Sequence, residues 1–363
     1  VEEGNEVELQ NVEIEAGEII IKSIAQTMQR SLETFKFNTP QSGYTGSITE
    51  VQLGATKKEG GTRDSSIKLG GHKTMPFWKF EENPVNKPVF SFDTFDDEIH
   101  LPRIVRDHYA EYLGEPVELA KFLVKKYDAE MITLHLVSTD PLNKDRKPKD
   151  AADLVEELMK EVKVPMIISG SGNVKKDPLV MEEVAKRVEG ERVLLSSAVE
   201  ETAEKFGELA KKHNHAVLCT ATMNKAVMKK TTSQVMKSTN NIIMDSFTSP
   251  LGYGIEYSIS TMESIRQSAL AGDKELQFPM LSGSSNAWAA REAWSDIEGY
   301  GPKEYRGVLW EVTTALTAML SGAEVFMMLN PSAIVILRNV RDMLIDGKAD
   351  LDFEKLIEKP KQR

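Results

Sequence analysis

The chain has 363 residues, with 56 acidic against 45 basic side chains and a net charge of −11, a balance that argues against nucleic acid or an anionic membrane as its main partner. Its single cysteine, Cys219, rules out an intrachain disulfide, and it rules out an iron–sulfur cluster or zinc site built from several thiolates of this chain. No apolar run reaches the roughly 18 residues of a membrane span, and seven Glu within the first eighteen residues oppose the basic start of a secretory signal. The expectation is a cytoplasmic protein.

Residues 1–42 read as an acidic arm ending in a short helix, with Ile24, Met28, Leu32 and Phe35 on one face and Ser23 as its N-cap. Residues 43–87 change character. Seven glycines sit among Lys57, Lys58, Arg63, Lys68 and Lys73, with β-like pieces at Ile48–Leu53 and Ser66–Leu69, which predicts hairpins. Pro76-Phe77-Trp78, Pro84 and Pro88 then mark an extended lead-in.

Over residues 88–346 eight short apolar runs recur, each followed by a stretch of helical character. They are Pro88–Asp93, Met131–Leu136, Val164–Ser169, Arg192–Ser196, His215–Thr220, Ile242–Asp245, Gln277–Leu281 and Val325–Leu329. Each has the length of one buried strand, and eight βα units complete a closed parallel (β/α)8 TIM barrel at its usual size of roughly 250 residues. Apolar stripes such as Leu154, Val155, Leu158, Met159 and Val162, or Ile255, Ile259, Met262 and Ile265, predict the covering helices. Met223–Ser238 is less periodic, and the first unit carries a long connection over Glu98–Tyr112 before a helix at Val117–Tyr127. A charged tail, 347–363, closes the sequence.

In such a barrel the C-terminal strand ends converge on one face, where function sits. The candidates are Asp93, His135, Ser138, Ser169, Gly170, Ser171, Gly172, Thr220, Thr222, Asp245, Ser246, Ser282, Gly283, Ser284 and Asn330. This rim is polar but nearly uncharged, better suited to binding than to acid–base or metal chemistry, so no catalytic or metal-ligating residue is assigned. His135 reads either as a lumen group or as a hydrogen-bonded core histidine, and Asp245 either as a functional carboxylate or as a loop cap. Cys219 reads as a small core residue. The loops Ser169–Asn173 and Ser282–Asn286 follow strands that stand opposite each other, and their small residues let backbone N–H groups approach a ligand. Trp288 and Trp294 fit either an interface or the interior.

The run Gly54-Ala55-Thr56-Lys57-Lys58-Glu59-Gly60-Gly61-Thr62-Arg63, the lead-in Pro76-Phe77-Trp78 and the segment Leu251-Gly252-Tyr253-Gly254-Ile255-Glu256-Tyr257 go beyond barrel geometry. In these the chain resembles the delta subunits of archaeal acetyl-CoA decarbonylase/synthase complexes, counterparts of the small subunit of the bacterial corrinoid iron–sulfur protein. The glycine-rich motif also resembles one in the gamma-type partner, and the cysteine count separates the two. The resemblance implies a heterodimer with a gamma-type corrinoid/iron–sulfur subunit. It implies a corrinoid shared at that interface and not held by this chain alone, with methyl transfer running between a tetrahydropterin and a nickel centre. The chain also lacks the Asp-x-His-x-x-Gly pattern by which many corrinoid proteins supply a cobalt ligand. A tetrahydropterin-binding methyltransferase barrel acting on a corrinoid protein is the alternative, and a mainly architectural barrel is a third reading.

Overall fold

A computed structural model describes residues 43–76 and 84–347; the expected arm and helix of 1–42, Phe77-Trp78 of the lead-in, and the tail beyond Gly347 lie outside the described residues. The glycine-rich segment forms the expected hairpin, β1 (Val51–Leu53) against β2 (Ile67–Leu69), antiparallel with Val51 opposite Leu69. Eight parallel strands then close a barrel: β3 (Val89–Phe95), β4 (Met131–His135), β5 (Met166–Ser169), β6 (Leu194–Ala198), β7 (Ala216–Thr220), β8 (Ile242–Asp245), β9 (Met280–Ser282) and β10 (Ala323–Met328), with β10 returning to β3.

The covering helices are α1 (Arg103–Tyr109), α2 (Pro116–Tyr127), α3 (Pro148–Glu161), α4 (Asp177–Arg187), α5 (Ala203–His213), α6 (Lys225–Met236), α7 (Ile255–Leu270), α8 (Lys303–Leu320) and α9 (Pro331–Asp346). The weakly periodic stretch does form α6. Asn224 caps it by accepting from the Ala226 and Val227 N–H groups, and the buried Thr231 and Thr232 return their hydroxyls to backbone carbonyls. Those buried threonines are what blur its apolar period.

Alternation along the strands sorts side chains between two cores. Outward residues such as Phe90, Phe92, Ile132, Leu134, Ile168, Leu195 and Phe326 pack under the helices. Inward residues Val89, Met131, Ile167, Leu194, Ala216, Ile243 and Val325 pack instead with Val51, Leu53 and Leu69 of the hairpin. The hairpin is therefore a stopper in the N-terminal end of the barrel. Gly54 N–H donates to Arg192 O (2.9 Å) and Asp64 N–H to Lys163 O (3.0 Å), both just ahead of barrel strands.

Arg63 locks the stopper. Its buried guanidinium donates to Glu191 Oε2 (3.0 Å), to Val162 O (2.5 Å) and Met159 O (2.6 Å) at the end of α3, and to Thr62 Oγ1 (2.7 Å). A cation that caps helix carbonyls and pairs a near-buried carboxylate is favourably placed on both counts. Gly54 has φ +77°, and a Cβ there would meet Pro165 at 2.8 Å, so this turn requires glycine. The motif that carried the resemblance thus closes the barrel floor and leaves the opposite, C-terminal end as the open mouth.

Candidate functional site at the barrel mouth

His135, Ser169, Thr220 and Asp245 end their strands, and Asp93 and Ser196 sit two residues before the ends of β3 and β6, all in inward register. Beneath them the Ser91 and Thr133 hydroxyls bond each other at 2.7 Å, fully buried, so the lumen turns polar one layer below the mouth. His135 faces the lumen. Its Nε2 lies 3.2 Å from Asp93 Oδ1, and its ring stacks on Phe95 with centroids 4.8 Å apart. The two polar atoms face each other at ion-pair distance without the alignment of a hydrogen bond.

Asp245 is the loop cap that one of its two readings allowed. Its Oδ1 accepts the Phe247 N–H (2.8 Å), fixing Phe247 at φ +68°, a left-handed conformation that a bulky residue rarely adopts. The residue as a whole is half-buried at the mouth, but its carboxyl is desolvated, which pushes its pKa up to about 6. Ser169, Gly170, Ser171, Thr220 and Gly283 are also part-exposed there, with Gly172 and Thr222 more open.

Other candidates turn inward. Ser138, Ser282, Ser284 and Asn330 are fully buried, so the expectation that they line the rim does not hold. Ser138 N–H and Oγ both bind the Asp96 carboxylate. Ser282 Oγ links Thr248 Oγ1 and Ser284 Oγ at 2.8 Å each. Asn330 is the N-cap of α9, accepting from Ser332 N (2.9 Å) and Ala333 N (3.3 Å). Ser246 is buried as well, with no partner for its hydroxyl.

The two small-residue loops differ in the same way. After β5 the Ser171 and Gly172 N–H groups are already taken by the buried Asp177 carboxylate (2.9 and 2.8 Å), and Gly170 packs so tightly on it that a Cβ would sit 2.4 Å from Asp177 Cγ. These N–H groups therefore face Asp177, where the sequence reading had them face a ligand. After β9 the chain folds into a short 3-10 segment, Ser284–Ala289, that buries Trp288.

Glu311 was not anticipated. It lies fully buried on α8, where its carboxylate accepts from Trp288 Nε1 (2.9 Å), Leu329 N (2.6 Å) and Asn330 N (3.0 Å); burial nevertheless raises its pKa to about 8. A lone acid in the otherwise uncharged run Gly307–Leu320 was the available signal. Cys219 is buried and desolvation raises its thiol pKa, as a core role requires.

The buried side-chain atoms without a hydrogen-bond partner include Asp93 Oδ1, His135 Nε2, Thr220 Oγ1, Ser246 Oγ and Asn330 Nδ2, all at or just under the mouth. Around one side of it the loops expose Phe247, Tyr253, Trp294 and Tyr300. Among the described residues no group of three or more His, Cys, Asp or Glu is placed to hold a metal ion, and no helix is long and apolar enough to cross a membrane.

Fold and site together define a (β/α)8 barrel with a stoppered floor and a mouth bearing hydroxyl groups, with exposed aromatic residues on the loops beside it. The family model described as CO dehydrogenase/acetyl-CoA synthase delta subunit matches residues 50–345. The delta subunit of the Archaeoglobus fulgidus acetyl-CoA decarbonylase/synthase complex is 42% identical over 320 residues, covering 85% of this chain and 71% of that one. The corresponding Methanocaldococcus jannaschii subunit is 39% identical over 365 residues, covering 94% and 89%. The chain belongs to this delta-subunit family. Among solved structures, Yersinia pestis dihydropteroate synthase aligns with a TM-score of 0.51 at 14% identity, covering 72% of this chain and 95% of that one, a likeness of fold.

Proposed function

We propose that this chain is a non-catalytic barrel subunit of an acetyl-CoA decarbonylase/synthase complex, whose mouth caps a corrinoid carried by a gamma-type iron–sulfur partner. The observation that carries the reading is the set of unpartnered polar atoms at one end of the barrel. Leaving a buried polar group unpaired costs about 1–3 kcal/mol, so the five such atoms grouped at this end, of sixteen among the described residues, suit a place completed by another molecule. A corrinoid suits them because its rim of carboxamides offers both donors and acceptors. Asp245 accepts, Thr220 does either, and His135 presents a ring edge, with the buried Asp93 behind it. When bound, the corrinoid supplies the cobalt that carries the methyl group. This chain's residues bind and orient its edge, and the stoppered floor keeps water from entering behind it. The exposed aromatics beside the mouth suit a protein partner's surface.

The inference to a partner-borne cofactor also draws on the family and on the absence of a cobalt-ligating motif in the sequence. Mixing the chain with its cysteine-rich, corrinoid-loaded partner is expected to give a stable, coloured one-to-one complex with an altered visible spectrum. Independent elution of the two chains, with an unchanged spectrum, contradicts the reading.

A second reading, direct tetrahydropterin binding, is favoured by the shared barrel with dihydropteroate synthase and by two carboxylates at the lumen end, since a pterin edge offers N–H donors. Calorimetric binding of a tetrahydropterin to the isolated chain supports it; no heat at millimolar ligand removes it.

A further inference from the structure

Glu311 is a buried acid for which no ion pair is found among the described residues, and burying so polar a group costs stability that an apolar side chain would not. What it achieves is local to the mouth. Its three donors come from two chain segments: Trp288 from the 3-10 segment after β9, and Leu329 and Asn330 just after β10. Asn330, held by its N–H, caps α9 in turn, and Leu329 O accepts the buried Tyr109 hydroxyl from α1. One turn earlier on α8, Gly307 makes room for the indole: a Cβ there would stand 2.5 Å from two Trp288 ring carbons. Gly307 and Glu311 therefore form a seat on one face of α8, glycine beneath the ring and carboxylate at its N–H.

We infer that Glu311 is a positioning residue, which sets the β9 and β10 side of the mouth in the shape that receives the partner's corrinoid. The inference rests on the function proposed above. The carboxylate is too deep to touch a ligand and acts through Trp288, Leu329 and Asn330. Asn330 Nδ2, buried without a partner, is the polar atom nearest in sequence to the bonds Glu311 makes. Asn330, held by its N–H and by its Oδ1, fixes the turn from β10 into α9 beneath the mouth more tightly than packing alone does.

The test is a titration of the corrinoid-loaded partner subunit with the full chain, wild type, Glu311→Gln and Trp288→Phe. Visible spectra and thermal melting of each variant are followed in parallel. Glutamine keeps the size but turns an N–H donor toward at least one of the three donors, and phenylalanine removes only the indole N–H. Both variants are expected to remain folded. Affinity should fall roughly tenfold for Glu311→Gln and about threefold for Trp288→Phe, each with a changed corrinoid band. Variants that melt lower yet bind with wild-type affinity and spectrum overturn the inference and leave the proposed function standing. A wild-type chain that does not bind at all overturns both.

Discussion

Replacing Arg63 with methionine keeps an aliphatic stem in the hairpin and removes the guanidinium. Four hydrogen bonds are lost: those to Glu191, Val162 O, Met159 O and Thr62 Oγ1. Some acceptors keep a second donor, since Lys163 Nζ also reaches Met159 O (3.1 Å) and Thr62 N–H still serves Glu191 (3.1 Å). Val162 O is stranded, and the Glu191 carboxylate loses its cation while Oε2 keeps only the Thr62 N–H. Breaking one side of a buried ion pair costs about 3–5 kcal/mol, and because the bonds share one side chain their separate values do not add. The expected loss is therefore about 3–5 kcal/mol, read as a shift in urea midpoint at unchanged slope. The hairpin should loosen first, so amides of 51–69 should exchange faster than those of the strands. A variant within about 1 kcal/mol of wild type would refute the reading of the hairpin as a locked stopper.

Three further outcomes follow from the geometry. Thr220→Val removes a buried hydroxyl that has no partner, so it should leave the isolated chain as stable or up to about 1 kcal/mol more stable, while weakening capture of the corrinoid-loaded partner; equal capture would count against a role for Thr220 at the mouth. Ser284→Leu forces a large side chain into a fully buried hydroxyl chain and should cost about 1–3 kcal/mol in thermal unfolding, whereas Ser171→Leu, part-exposed, should cost less than half that and so is the cleaner probe of the mouth; the reverse order would contradict the burial described. His215 is buried beside Ala185 O with its pKa lowered by desolvation from 6.5 to about 4. A depressed histidine means that the unfolded chain binds the extra proton, so its contribution is present above about pH 6.5 and is lost as pH falls toward 4, about 3 kcal/mol in all. Urea titrations at several pH values should show wild type losing that much relative to His215→Gln; parallel profiles would refute it.

The barrel was legible because each strand is a short apolar run between turns, and one buried strand looks like another whatever the register. Boundaries moved where backbone chemistry intervened. Arg192 at φ +50° delays β6 to Leu194, and Pro279, after a 3-10 turn at Lys274–Leu276, delays β9 to Met280. The long connection Glu98–Tyr112 holds a short helix, α1, which begins just after Pro102. The mouth was harder to read. Strand position names the residues at an end, but not whether a hydroxyl faces a ligand or a neighbour, and Ser282, Ser284 and Asn330 found neighbours. Asp177 and Glu311 were invisible as mouth-shaping groups because each acts through bonds to backbone or indole N–H groups, which leave no spacing pattern. Of the two tryptophans weighed both ways, Trp288 is internal and Trp294 is 38% exposed beside the mouth.

The most direct measurement of where this barrel meets its partner is hydrogen exchange of the chain, alone and mixed with the corrinoid-loaded iron–sulfur subunit. Slowed exchange is expected at the strand ends and the loops that follow them, over residues 93–98, 169–173, 220–224, 245–254 and 282–294. The hairpin at 51–69 should be unchanged. Protection confined to the hairpin end, with the mouth exchanging as in the free chain, would contradict the account.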